Sequence, residues 1–152
     1  MKQLFIILFF FTCSSSSCDK KSIGSTMTID TIVPGKYYYL ALGDSYTIGE
    51  SVPSAENFPN QVVSSMLNNA IPFYPARIIA KTGWTTDELE AGIAAANNAD
   101  PLRSSYDFVS LLIGVNNQYR GRTVDNYKPE FEALLKKAIL FAGNKADHVV
   151  VL

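Results

Sequence analysis

From residue 37 onward the sequence alternates short apolar runs with longer stretches of helical period, and this alternation narrows the fold more than any other feature. A strand buried on both faces reads as a continuous run of β-branched and aromatic residues, whereas a surface helix repeats its apolar residues every three or four positions. Four runs fit the first pattern: residues 37–42, 77–80, 108–113 and a fourth that begins at Val149. Between them Phe58, Val62, Val63, Met66 and Leu67 recur at helical spacing, as do Leu89, Ile93 and Ala96, and then Phe131, Leu134, Leu135, Ala138 and Ile139. Each set predicts one helix face turned to a core. Thr85 with Glu88 has the spacing of a capping box at the second helix start, and Gly143 with Asn144 punctuates the end of the third.

The order strand, helix, strand, helix, strand, helix, strand predicts a three-layer α/β/α domain with a doubly wound, flavodoxin-like parallel sheet. In such a sheet the loops at the carboxyl ends of the strands build the site. A polar residue that follows a strand is therefore a functional candidate, and one that precedes a strand lies at the opposite edge. The fourth run reaches Leu152 with no turn residue or polar cap behind it, so the domain is expected to be C-terminally incomplete.

Gly43, Asp44 and Ser45 come directly after the first strand. The Ser45 hydroxyl and backbone N–H are expected at the carboxyl edge, where a helix N-terminus favours negative charge such as the oxyanion of acyl transfer. The alternative is that Asp44 and Ser45 simply cap a helix, since both types are good N-caps. The longer string Gly43-Asp44-Ser45-Tyr46-Thr47-Ile48-Gly49-Glu50 resembles the first block of the SGNH/GDSL hydrolase family. Two further blocks follow in order: Lys81-Thr82-Gly83-Trp84 after the second strand and Gly114-Val115-Asn116-Asn117 after the third.

That resemblance implies a serine ester hydrolase with Ser45 as nucleophile and no metal or organic cofactor. It further implies an oxyanion hole made by the backbone N–H groups of Ser45 and Gly83 and the side-chain amide of Asn116. Removing one such donor costs on the order of 2.7–4 kcal/mol in the barrier. Read from the residues alone, Gly83 is a turn glycine and Asn116 a loop amide satisfying local backbone. The family's third block ends in Asp, whereas this chain has Asn117, which keeps hydrogen-bonding capacity and loses charge; Asp44 and Asn117 are expected in supporting roles. Trp84, Tyr46, Tyr119 and Arg120 flank the blocks as substrate contacts or as packing, and Glu50 is expected to be solvated or paired.

A serine hydroxyl needs an adjacent base, normally a histidine oriented by a carboxylate. The single histidine, His148, immediately precedes the fourth strand and so belongs at the amino edge. The resemblance implies an Asp-x-x-His near the C-terminus, which the adjacent Asp147 and His148 do not match. The expectation is that the catalytic Asp-x-x-His is missing from this chain. The alternative is a non-catalytic surface lipoprotein, or a truncated fragment, that only binds glycan or acyl ligands.

The apolar run at residues 4–11 follows Lys2 and is too short to span a bilayer, but it fits the h-region of an export signal. Cys13 and Cys18 flank four serines just after it and are lipidation candidates; a small disulfide or two incidental thiols are the other readings. The expected organisation is an export signal at 1–18, a flexible tether at 19–35 and a partial hydrolase domain at 36–152. This predicts an exported bacterial envelope protein held to the membrane by a lipid anchor, acting on a small-molecule or glycan ester. A formal net charge of −1 with no basic cluster argues against a nucleic-acid partner.

Overall fold

The computed structural model describes residues 35–152. The proposed export signal, the lipidation candidates Cys13 and Cys18 and all but the end of the proposed tether lie outside the described residues. Among the described residues four strands, β1 (Tyr39–Gly43), β2 (Arg77–Ala80), β3 (Phe108–Leu112) and β4 (Val149–Val151), form one parallel sheet in the order β2-β1-β3-β4. Leu40 lies between Arg77 and Val109, and Val109 lies beside Val149, so the strands run level across the sheet. This is the doubly wound order expected from the sequence, with its reversal of direction between β1 and β3.

The helices sort by crossover. Connections that step from β1 outward to β2 and from β2 back across to β3 leave opposite faces, because parallel crossovers are right-handed. Accordingly α2 (Phe58–Asn68) covers one face, with Val63 and Val62 against Tyr39, Ala41, Ile78 and Phe108. On the other face α3 (Thr86–Ala99) and α5 (Val124–Phe141) pack on the sheet and on each other. Leu89, Ile93, Leu134 and Ala138 there bury against Leu40, Leu42, Ile79, Val109 and Leu111. Burying one such side chain contributes about 1.5–3 kcal/mol, which explains why the larger cluster sits where two helices meet the sheet.

Local differences from the sequence expectation have simple causes. Tyr37 falls outside β1: its N–H donates to the Pro72 carbonyl at 2.8 Å and it forms an isolated bridge with Phe73. Ile113 falls outside β3 because Gly114, at φ +134°, turns the chain into α4 (Val115–Tyr119). Leu67 is half exposed and not part of the α2 core face, being rotated past Val63. The capping box is present, with the Thr85 N–H donating to Glu88 Oε2 at 2.9 Å. Gly143 and Asn144 both take positive φ and return their N–H groups to the Leu140 and Ile139 carbonyls, closing α5 as its terminal glycine predicts. Among the described residues no helix is long and apolar enough to cross a membrane.

Candidate active site

Strand β1 ends at Gly43, where a side chain has no room: a Cβ there would run into the Leu112 carbonyl oxygen of β3 and into Thr47. The close approach draws α1 (Ser45–Ile48) down onto the carboxyl edge of the sheet, with Ser45 as its first residue and only half-buried. Asp44 is fully buried and caps α1 by accepting the Tyr46 N–H at 3.1 Å. Burial pushes its carboxyl above the usual range, opposed by that hydrogen bond. Of the two residues that the alternative reading made helix caps, Asp44 alone caps α1, and the Ser45 hydroxyl has no partner among the described residues.

Gly83 lies in the tight turn after β2, where the Trp84 N–H returns to the Lys81 carbonyl at 3.2 Å. Its φ of +83° demands glycine, although the space beside it is open. Neither Ser45 nor Gly83 gives its N–H to a turn, loop or cap acceptor among the described residues. Asn116, in α4 after β3, reaches both other loops: its Nδ2 donates to the Trp84 carbonyl at 2.9 Å and lies 3.4 Å from Asp44 Oδ2. One amide proton is thus committed and the other only loosely held. These contacts bring the loops after β1, β2 and β3 together at the β1/β3 reversal point.

A polar clamp joins the segment after Gly83 to the segment after Asn116. Asn117 is buried and bonds both polar atoms of Thr86. Arg120 donates to the Gly83 carbonyl at 2.6 Å and to Glu88 at 3.0 Å. Arg122 holds Asp87 at 2.7 and 3.2 Å, which with the Thr85 hydroxyl lowers the Asp87 carboxyl to about 2. The Glu88 carboxyl is lowered first by the Thr85 N–H and then by Arg120. Glu50 is paired, accepting a hydrogen bond from Thr82, which ties the α1 loop to the β2 loop. Thr86, Arg122 and Glu130 carry no sequence signal for this clamp, since its partners come from α3, α4 and α5 and meet only in the fold.

The flanking aromatics separate cleanly. Trp84 is packing: it sits against the core with its ring over Gly92 of α3, where a Cβ would collide with it. Tyr46 and Tyr119 are 64% and 90% exposed at the same rim and are free to meet a ligand. Arg120 is committed to Gly83 and Glu88 and so acts within the clamp. A cavity of about 490 Å³ opens beside Asn117, lined by Gly114, Val115, Arg122, Val124 and Tyr127 among others. No group of three or more His, Cys, Asp or Glu among the described residues is arranged to hold a metal ion.

His148 is not part of this arrangement. Val149 is level with Val109 and Leu40, so His148 stands beside the start of β3, six residues of chain from the height of Ser45. The four strand steps from Tyr39 to Gly43 alone span about 13 Å at about 3.3 Å per residue, far beyond a hydrogen bond. His148 lies instead in a mostly apolar groove at the amino edge with Tyr37, Val62, Met66, Phe73, Phe108 and the carboxylate of Asp107, and its buried Nδ1 has no partner.

A search of curated proteins finds no match. Among solved structures the chain is similar to AlinE4, described as an SGNH-hydrolase family esterase, with 22% identity and a TM-score of 0.55 over 67% of this chain and 52% of that one. It is also similar to TesA, with 16% identity and a TM-score of 0.60 over 75% and 58% of the two chains. The esterase EstA from Pseudoalteromonas sp. matches at 16% identity and a TM-score of 0.59, over 77% and 58%. The chain thus spans 52–58% of the length of these solved structures, and at such identities the likeness is one of fold. The GDSL-like Lipase/Acylhydrolase family model matches residues 41–151, the greater part of the chain and all three loops of the site, and the chain belongs to that family.

Proposed function

We propose that this chain carries the nucleophile and oxyanion half of a serine ester hydrolase. Ser45 Oγ attacks the ester carbonyl, and the tetrahedral oxyanion is received by the Ser45 and Gly83 N–H groups and by the loosely held Asn116 amide proton. The observation that carries this reading is the Asn116 side chain, which spans the Trp84 carbonyl and Asp44 and so sets three loops around one small space. Donors fixed before the reaction stabilise developing charge without reorganising. Asp44 and Asn117 support the site from behind, as N-cap of α1 and as anchor of α4.

Proton transfer needs a base that the described residues do not bring to Ser45, since His148 stands at the opposite edge. This observation also favours a second reading, in which the chain binds an acyl or glycan ester without turning it over. The proposed substrate is a small-molecule or glycan ester, with no metal or organic cofactor. The leader pattern at residues 4–11 with Cys13 and Cys18 supports a lipid-anchored envelope location.

The test uses the 152-residue chain and its Ser45→Ala variant. Alone, both are expected to hydrolyse p-nitrophenyl acetate at the same rate; a clear Ser45-dependent rate would mean that a base has been misplaced. With a fluorophosphonate and added imidazole as external base, the covalent label is expected on Ser45. A label at another residue, or one that survives Ser45→Ala, sinks the hydrolase reading.

A further inference from the structure

Helix α4 has one buried side chain, Asn117, whose two polar atoms meet the two polar atoms of one threonine. Asn117 Oδ1 accepts the Thr86 N–H at 3.1 Å, and Asn117 Nδ2 donates to Thr86 Oγ1 at 2.7 Å. The Thr86 hydroxyl gives its one proton to Glu130 of α5. Asn117 and Thr86 are 2% and 0% exposed, so water does not substitute in the bonds between them, while Glu130 is only partly buried. The direction of every bond follows. A backbone N–H only donates, so an acceptor must face it; a hydroxyl already donating to a carboxylate offers only lone pairs, so a donor must face that.

We propose that Asn117 and Glu130 are a matched positioning pair: the carboxylate on α5 orients the Thr86 hydroxyl, and that orientation dictates an amide at position 117, fixing α4 and the Asn116 side chain it carries. Only the last clause rests on the reading of Asn116 as an oxyanion donor. A carboxylate at 117 would compete with Glu130 for one proton and lose the donor that Thr86 Oγ1 requires. The neighbouring cations are already engaged. Arg122 lies 2.7 Å from Asp87 and 3.7 Å from Glu130, and Arg120 bonds Glu88 and the Gly83 carbonyl. Asp87 and Glu88 on α3 add negative charge on the same side.

The pair is tested by thermal unfolding of the wild-type chain, Asn117→Asp, Glu130→Gln and the double variant at pH 7.5 and 4.5. Asn117→Asp is expected to lower Tm by about 8 °C at pH 7.5. Burial and Glu130 raise the introduced carboxyl above its unfolded value, so its penalty is fully expressed above the folded pKa and shrinks on acidification. Glu130→Gln alone changes little, because an amide oxygen still accepts the Thr86 proton. In the double variant the amide introduced on α5 donates to Thr86 Oγ1 and the hydroxyl turns to the carboxylate introduced on α4, bringing Tm back to within about 3 °C of wild type. The same Asn117→Asp loss with and without Glu130→Gln, or at both pH values, overturns the pairing. If Asn117→Asp alone does not fold, a folded double variant supports the pair and an unfolded one overturns it.

The side-chain amide resonances of Asn116 report the positioning clause: they should move in Asn117→Asp and return in the double variant. Resonances that stay fixed in Asn117→Asp overturn that clause. None of these measurements uses Ser45 or turnover, so failure of the hydrolase reading and failure of the pair are seen separately.

Discussion

The two ends of the sheet are built from different chemistry. At the carboxyl end the chain packs an amide, a buried carboxylate and a glycine turn within hydrogen-bonding reach, tied by Arg120, Arg122 and Asn117 to the first turn of α3. At the amino end it packs Val62, Met66, Phe73 and Phe108 around a groove of about 520 Å³, and the one imidazole there has a nitrogen with no partner. The residue type best suited to acid–base chemistry is therefore at the end opposite the candidate site. In a parallel sheet every helix-to-strand loop lies at one end and every strand-to-helix loop at the other, so position relative to a strand sorts candidates better than side-chain chemistry does.

The carboxyl rim is most vulnerable at Gly43. If the carboxyl rim is held by close backbone approach, Gly43→Ala should cost roughly 3 kcal/mol or more in urea unfolding, because the added Cβ meets the Leu112 backbone carbonyl, which no rotamer change relieves. A loss below about 1 kcal/mol would mean that β1 and β3 can part at this rim without consequence.

Much of this difference was legible beforehand. The doubly wound sheet follows from the alternation of strands and helices, and the carboxyl-edge placement of Ser45, Gly83 and Asn116 and the amino-edge placement of His148 follow from which polar residue comes before or after an apolar run. The supporting shell was not legible. Thr86 reads as an ordinary first-turn residue and Glu130 as one charge among several on α5, because sequence spacing records neighbours along the chain and not the crossing of α3, α4 and α5. Trp84 was equally open to packing or substrate contact until the Gly92 gap beneath its ring decided it. Leu67 shows the limit of periodicity: a residue at helical spacing from Val63 still lies beyond the arc that the sheet covers.

A smaller effect sharpens the electrostatic side. Asp44 is buried with its carboxyl raised by desolvation, so its folded-state pKa exceeds its unfolded value. Such a group favours folding below the unfolded pKa, and that contribution is lost as pH rises through the folded pKa. Asp44→Asn keeps an N-cap oxygen for the Tyr46 N–H and removes the buried charge. The variant is expected to be at least as stable as wild type at pH 7, with its advantage fading on acidification toward pH 3. A variant clearly less stable at pH 7 would show that the charge itself, through Asn116, holds the rim together.

The smallest effect belongs to the amino end. His148 leaves a buried Nδ1 without a hydrogen-bond partner in a groove lined by apolar side chains and by Asp107, whose carboxylate accepts the Tyr38 N–H, and an unmet polar group of this kind costs about 1–3 kcal/mol when fully buried. The residue is only half-buried, so the recoverable part is smaller. His148→Phe, placed in a groove already lined by Phe73 and Phe108, should leave the unfolding free energy unchanged or raise it by up to about 1 kcal/mol. Imidazole-assisted labelling of Ser45 should proceed at the wild-type rate in this variant. Slower labelling at unchanged stability would connect the two ends of the sheet and remove the ground for treating His148 as a structural residue.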